Sequence, residues 1–499
     1  MEDERPTTVT YVVVTEEYFE RRRLRRYAGV LSLWALGVGA VISGHFSGWN
    51  FGLAFGWGSM LVATVLITLM YLGLTYSLAE MSPALPHTGG AYSFARSSMG
   101  PWGGFVTGVS ENIEYVLTPA VVVFFIGTYL GAILETSPAL QPIYWVLGYL
   151  IFVGLNLFGV ELSFRVTMVV TLLALACLVF FYLQALPHIE FGRWAMNVGV
   201  GPDGALVELP AGGGPWFPDG VHGVLAAMPF AVWLYLAIEQ LPLAAEESID
   251  PRRDMPTGIL LGIFTLVLSA FSVLTLNASL APGSWGLKAS GEPLLDGFRT
   301  LFGTDIAKAL ALVAITGLVA SFHAIIFAFG RQIYSLSRAG YFPRFLSVTH
   351  GRHHTPQLAL LSGSLIGLGV MLFIWTLYGQ EKGGAFIGAA LLNMAVFGAM
   401  ISYVMQAFSF ILLRIRLPDI ERPYRSPFGI PGALVTLVIA VVTIYFQVSD
   451  PAFRAPILGV ALYYAITILY FALFGRHGLV LSPEEEFALT RGRGEYRGY

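Results

Sequence analysis

A stretch of about 20 apolar residues is long enough to cross the roughly 30 Å hydrocarbon core of a bilayer as a helix. This chain repeats such stretches twelve times, at 29–56, 58–82, 102–134, 141–160, 163–186, 221–248, 256–281, 306–338, 356–378, 385–414, 431–448 and 455–475. Only a helix or a closed barrel satisfies its backbone in lipid, and runs of this length select the helix. Of the 499 residues, 56% are hydrophobic and 12% charged. Soluble domains carry about 25% charged residues, so the chain reads as an all-α integral membrane protein with the lipid bilayer as its solvent. No nucleic-acid partner is expected. A lone cysteine, Cys177, lies in an apolar run and excludes an intramolecular disulfide framework. The polar N-terminal stretch ends in "TEEYFERRRLRR", which predicts a basic cytoplasmic anchor rather than a cleaved leader.

The basic residues predict the orientation. With the N-terminus inside, the inner tails and loops hold 22 of the 28 arginines and lysines, from Arg5 and the Arg21–Arg26 cluster to Arg497. The outer loops hold six: Arg193, Lys288, Arg299, Lys308, Lys382 and Arg454. That asymmetry places both termini in the cytoplasm of a multi-pass cell-membrane protein. The Gly- and Pro-rich segment between spans five and six reads as an irregular outer loop.

Two spans carry interruptions. Span one contains "GVGAVISGHFSGWNFGL", with several glycines around Ser43, His45 and Ser47; span six contains "MPFAVWLYLAIEQLPLAAEE", with Pro229, Glu239 and Pro242. Proline removes a donor and clashes with the preceding turn, and glycine eases departure from the helix. Each is the first span in a group of five, and a matched pair of broken helices points to the binding site of a transporter built from inverted repeats. Bare amides at the first break, around Ile42, Ser43 and Gly44, would suit an anionic or hydroxyl group. Bare carbonyls at the second, around Tyr235, Leu236 and Ala237, would suit an ammonium. His45 is expected to titrate or to hold a hydrogen bond at the break, and Trp233 to pack or to cover a cation.

Span three is more demanding. It reads "FVTGVSENIEYVLTPAVVVFF", with Glu111 and Glu114 one helical turn apart near its middle. A charged group at that depth costs roughly 2.5–3.5 kcal/mol. All three lysines fall in outer loops and every arginine at or beyond a span end, so no basic side chain is expected beside them. The remaining partners are a shared proton, hydroxyl or backbone donors such as those of Thr107, Ser110 and Tyr115, or a cation that comes and goes. Glu239 joins this set as a counter-charge, a proton carrier or an acceptor for its own broken helix. Glu246 and Glu247 read as a solvated inner face.

The segments "GVGAVISGHF", "AEMSPALPHTGGAYSFAR", "FAVWLYLAIEQLPLAAEE", "DPRRDMPTG", "GRQIYSLSRAGYFPRFLS" and "ERPYRSPFGIPG" resemble those of the amino acid–polyamine–organocation permeases, across about residues 29–475. Within that group "GVGAVISG…GWNFGL" and "ENIEYVLTPA" are most similar to the ethanolamine permeases. The resemblance implies twelve transmembrane helices arranged as a five-plus-five inverted repeat with two trailing helices, and alternating access around a substrate held between the broken helices and their neighbours. It matches Ser43 and Gly44 to substrate-contacting backbone, Trp233 to an aromatic gate and Glu239 to the sixth-helix glutamate. Two positions depart: Ala237 stands where the family has glycine, and Ala174 where some proton-coupled relatives carry a lysine.

The expected organisation is an N-terminal tail at 1–28, a first repeat at 29–186, an outer loop at 187–220, a second repeat at 221–414, trailing helices at 415–475 and a C-terminal tail at 476–499. The expected function is secondary-active uptake of a small organic amine, ethanolamine first, with a proton or sodium as the possible coupling ion and no cofactor or metal. An amino-acid permease or exchanger is the alternative within the class. A non-transporting sensor would need a folded extension, for which the tails are short. An enzyme is not expected, since no HExxH, P-loop or G-x-S-x-G occurs, and His353 and His354 fall in a basic loop.

Overall fold

In the computed structural model, residues 9–449, 451 and 454–490 are described. Arg5, Arg497 and the side chain of Lys382, all used above to orient the chain, lie outside the described residues or side chains. Among the described residues eleven helices are long and apolar enough to cross a membrane, and the shorter Val30–Val41 supplies the first part of span one. Span one continues as Ser43–Phe46 and Trp49–Phe55. Spans two to five are Trp57–Ala84, Gly90–Leu134 with a kink at Gly100, Gln141–Leu157 and Val160–Ala185. Span six is Gly220–Trp233 followed by Ile238–Glu247, and spans seven to nine are Pro251–Ala278, Thr304–Arg338 and Gln357–Phe386. A π turn at Ile387–Leu391 leads into span ten, Leu392–Arg416, before Gly429–Ser449 and Arg454–Leu473.

The helix packing repeats itself. Span three lies along spans ten and eight, and span eight along spans five and three; span two packs on span six as span seven packs on span one. Spans three and four pair as eight and nine do, and four touches eight as nine touches three. Exchanging the first five spans for the second five therefore returns the same set of neighbours. Five is odd, so the second group enters from the opposite side and the repeat is inverted. Spans eleven and twelve stand outside it, packed on span ten. Spans three and six are mostly buried, whereas spans four and twelve turn apolar faces such as Leu147, Leu150, Leu462 and Ile466 outward.

The first and last described segments meet on one face, the terminal face. Tyr11–Val12 pairs in parallel with Leu479–Val480, and the helix Pro483–Thr490 packs against the start of span three. The segment beyond span twelve, expected as a C-terminal tail, is thus bound to the body over its described part. Its Glu484 meets Arg338 at 2.5 Å, and its Glu485 meets Arg96 at 2.6 Å and accepts from Tyr92, Tyr341 and Tyr11.

The expectation of a solvated face at Glu246 and Glu247 is corrected here. Glu247 is fully buried against Arg331, 2.8 Å away, and Glu246 pairs with Arg338 at 2.6 Å. Arg331 also corrects the expectation that every arginine lies at or beyond a span end: it sits two turns before the end of span eight, deep enough to leave water only because this carboxylate meets it. The segment between spans five and six also has more order than expected, carrying the antiparallel pair Val198–Val200 with Leu206–Glu208.

Candidate functional site

The second break falls where the sequence placed it. The helix stops at Trp233, and Ala237 takes a left-handed conformation at φ 83°, ψ 4° before the chain resumes at Ile238. The first break is later than expected. Ile42 keeps right-handed helical angles and only Ser47, at φ −160°, is extended, with Gly48 following at φ 94°. At Ile42–Gly44 the helix is merely notched, because Ser321 of span eight bridges the notch. Its hydroxyl donates to Gly39 O at 2.7 Å and accepts from Ser43 N at 2.8 Å. The Ser43 amide, proposed from the sequence as bare, is therefore occupied in this conformation.

The two broken spans cross backbone to backbone. A Cβ on Gly44 would stand 2.2 Å from the Trp233 carbonyl oxygen, so only glycine permits this approach. The Trp233 indole Nε1–H donates to Ser47 O at 2.9 Å. On the terminal side the start of span one is zipped to the end of span six, with Tyr27 N and Ala28 N both donating to Glu247 O. Spans one and six thus form one clasped pair.

The acids meet beside this pair. Glu111, Glu114 and Glu239 are each no more than 2% exposed. Glu114 and Glu239 are neighbours without a hydrogen bond between them, and Glu111 is close enough to interact electrostatically with both. Glu239 Oε1 accepts from the Ala237 amide at 3.1 Å, which is what the left-handed turn makes available, and Glu111 Oε1 accepts from Tyr115 OH at 3.3 Å. Glu111 Oε2, both oxygens of Glu114 and Glu239 Oε2 accept no hydrogen bond among the described residues. No arginine or lysine among the described residues pairs with any of the three; the buried arginines of span eight are held by Glu246, Glu247 and Glu484. Two carboxylates this close in a buried site cannot both stay ionised unless positive charge comes between them. The arrangement suits a proton or an organic cation.

Tyrosines complete the surroundings. Tyr403 lies close enough to Glu239 to feel its charge, and its hydroxyl is 2.9 Å from Tyr71 OH. The ring of Tyr71 lies between those of Tyr403 and Tyr235, with centroids 5.5 and 5.3 Å away, and Tyr235 OH bonds Thr68 Oγ1 at 2.7 Å. Carboxylates beside aromatic faces are a chemistry for ammonium groups. Tyr71, Tyr403, Thr68 and Ser321 had no local signal in the sequence; they are single polar residues in otherwise ordinary spans, and only the packing of spans two, eight and ten on the broken pair selects them.

His45 is the member of the expected set that turns elsewhere. Its Nε2 is 2.9 Å from Leu234 O, which makes that nitrogen the donor, and its Nδ1 then accepts from Ser269 Oγ at 2.7 Å. Tyr182 OH bonds the same Ser269 hydroxyl at 2.8 Å. Both ring nitrogens are thus held by the protein, and His45 joins spans one, six and seven rather than facing the acids.

Comparison with known proteins agrees with this architecture. The model of the amino acid permease family matches residues 36–479. The chain is 28% identical over 438 residues to an uncharacterized transporter of Rhizobium meliloti, covering 86% of this chain and 88% of that protein. It is 23% identical to a branched-chain amino acid permease of Bacillus subtilis, over 82% of this chain and 85% of the relative. A methylthioribose transporter of Bacillus subtilis is 22% identical, over 92% and 95% of the two chains.

Proposed function

Because the chain belongs to the amino acid permease family, we propose that this membrane permease takes up a small organic amine, ethanolamine first, by alternating access between its two groups of five spans. The observation that carries the reading is the meeting of Glu111, Glu114 and Glu239, buried, without a basic partner and with four carboxylate oxygens unbonded among the described residues.

The ammonium of the substrate enters between these carboxylates and offsets the repulsion that a proton relieves in its absence. Tyr71, Tyr403 and Tyr235 present ring faces and hydroxyls to its carbon stem and hydroxyl group. Ethanolamine lacks the carboxylate of an amino acid, and in this conformation the Ser43 amide, the natural receiver of such a carboxylate, is bonded to Ser321. That favours an amine over a zwitterion. Carbonyls of span one are also occupied by protein hydroxyls, Gly39 O by Ser321 and Ala35 O by Thr171, which favours a proton over sodium as the coupling ion. The membrane is the cell membrane, with the terminal face cytoplasmic.

The second reading, an amino-acid permease, rests on the Bacillus subtilis branched-chain relative. Uptake of labelled ethanolamine into proteoliposomes, under imposed proton or sodium gradients and with a panel of competitors, separates the two. Ethanolamine uptake that depends on a proton gradient and resists competition by leucine or alanine supports the amine reading. Leucine or alanine uptake, with ethanolamine neither carried nor competing, overturns it.

A further inference from the structure

Far from the acids, at the terminal face, the junction of spans four and five borders a cleft of about 240 Å3. Three separate segments line it. Arg25 comes from the tail that leads into span one, residues 158–162 and Arg165 from the junction and start of span five, and Arg352 and His353 from the loop between spans eight and nine. The cleft contains one acid, Glu161, which Arg165 takes at 2.6 Å. Among the described residues the guanidinium groups of Arg25 and Arg352 have neither an ion pair nor a side-chain hydrogen bond, and both are exposed. The cleft therefore holds two uncompensated cations, Arg25 and Arg352, with the His353 ring beside them.

The backbone adds to this. Gly159 caps span five at φ 124°, and a Cβ there would project towards the His353 ring, 3.8 Å away. A side chain is thus excluded by conformation, and the first turn of a 26-residue helix stands at the cleft wall with its leading amides. Guanidinium forks and helix-terminal amides converge on tetrahedral oxyanions. Two lining residues, however, are apolar and exposed, Phe158 at 64% and Leu162 at 38%. They belong to span ends, where the hydrocarbon edge meets water. A freely soluble anion would gain nothing from that apolar rim, whereas a lipid would lay its chains along it.

We propose that this cleft binds the phosphate of an anionic phospholipid headgroup, held by Arg25 and Arg352 over the first turn of span five. A headgroup there joins the tail before span one to two elements outside the clasped pair. It holds that tail in the closed arrangement in which Tyr27 and Ala28 bond Glu247 O.

The full-length protein is placed in nanodiscs of phosphatidylcholine alone, of phosphatidylcholine with phosphatidylglycerol, or of phosphatidylcholine with added inorganic phosphate. Retained lipid is read by native mass spectrometry and stability by thermal unfolding. Wild type is expected to retain phosphatidylglycerol selectively and to unfold at higher temperature in its presence. R25Q/R352Q is expected to lose roughly tenfold or more of that retention, each arginine near an anionic surface contributing about a factor of five. R25K/R352K keeps the charge and is expected to keep most of the retention. Equal retention of the two lipids by wild type overturns the proposal, whatever the variants do. Inorganic phosphate reproducing the full stabilisation would overturn the lipid as its source.

Discussion

Gly44 and Trp233 touch through their backbones, with room for no atom between the Gly44 Cα and the Trp233 carbonyl. The obstruction to a larger residue is main chain, not a side chain that can rotate, so Gly44→Ala must part spans one and six. Overpacking of this kind costs about 1–3 kcal/mol. Gly39 is the contrast: its would-be Cβ meets the Thr171 hydroxyl, which can turn away. Gly44→Ala is expected to insert but to lose most uptake and several degrees of thermal stability, and Gly39→Ala to lose less of both. Wild-type uptake by Gly44→Ala would show that the crossing is not needed for transport.

The pair Arg331–Glu247 yields a different kind of prediction. Its members are 1% and 0% exposed, and Arg331 also lies over the Phe327 ring at 3.8 Å. Removing one partner leaves a buried charge uncompensated, at about 3–5 kcal/mol, while replacing both by apolar groups of similar size is close to neutral. Glu247→Gln is therefore expected to lower the unfolding temperature strongly in detergent, and Arg331→Met with Glu247→Leu to recover much of it. Equal loss in the single and double variants would mean that packing of the span ends, not charge, sets the stability.

How much of this was legible beforehand depended on the range of the interaction. The spans, the broken pair and the isolation of Glu111 and Glu114 follow from apolar runs, proline and glycine, and the placement of lysines, all local or compositional features. The site of the second break was readable because Pro229 and Pro242 bracket it. The first break was misplaced because glycines mark where a helix can leave, and Ser321, some 280 residues away, decides that at Ile42 it does not. Glu246 and Glu247 looked solvated for the same reason. A carboxylate at a span end is ordinary surface unless an arginine from another span reaches it, and a sequence does not display that meeting.

On the face opposite the terminal one, Glu292 belongs to the loop between spans seven and eight. Its neighbour Gly291 accepts from Ser47 Oγ at 3.0 Å, which joins that loop to the break in span one. Burial, with the nearby Asp296 charge, pushes the Glu292 carboxyl up to about 7 against an opposing effect of Arg299. A carboxyl raised in the folded state binds a proton that the unfolded chain has already lost. Its neutral form therefore supports the fold below neutrality, and that support declines as pH rises from about 4.5 through about 7. Thermal unfolding followed across this window is expected to show wild type losing stability towards higher pH and Glu292→Gln losing less. Parallel curves would assign the titration to other groups.

Ala237 carries a cost that the acid cluster explains. At φ 83° a residue with a Cβ is strained by about 1–2 kcal/mol relative to glycine, yet the turn presents the Ala237 amide to Glu239 Oε1 at 3.1 Å. Glycine adopts these angles freely but gives up more chain entropy on folding, roughly 0.5–1 kcal/mol. The two effects leave a net gain between zero and about 1.5 kcal/mol for Ala237→Gly. The same substitution leaves the amide in place, so amine uptake should persist with an affinity close to wild type. A rise of a few degrees in unfolding temperature with retained uptake is the expected outcome. A destabilised Ala237→Gly protein would mean that the methyl group packs usefully where it stands and that the backbone there is not under strain. Loss of uptake without loss of stability would mean instead that the stiffness of alanine, and not merely the position of its amide, holds Glu239 against Glu114.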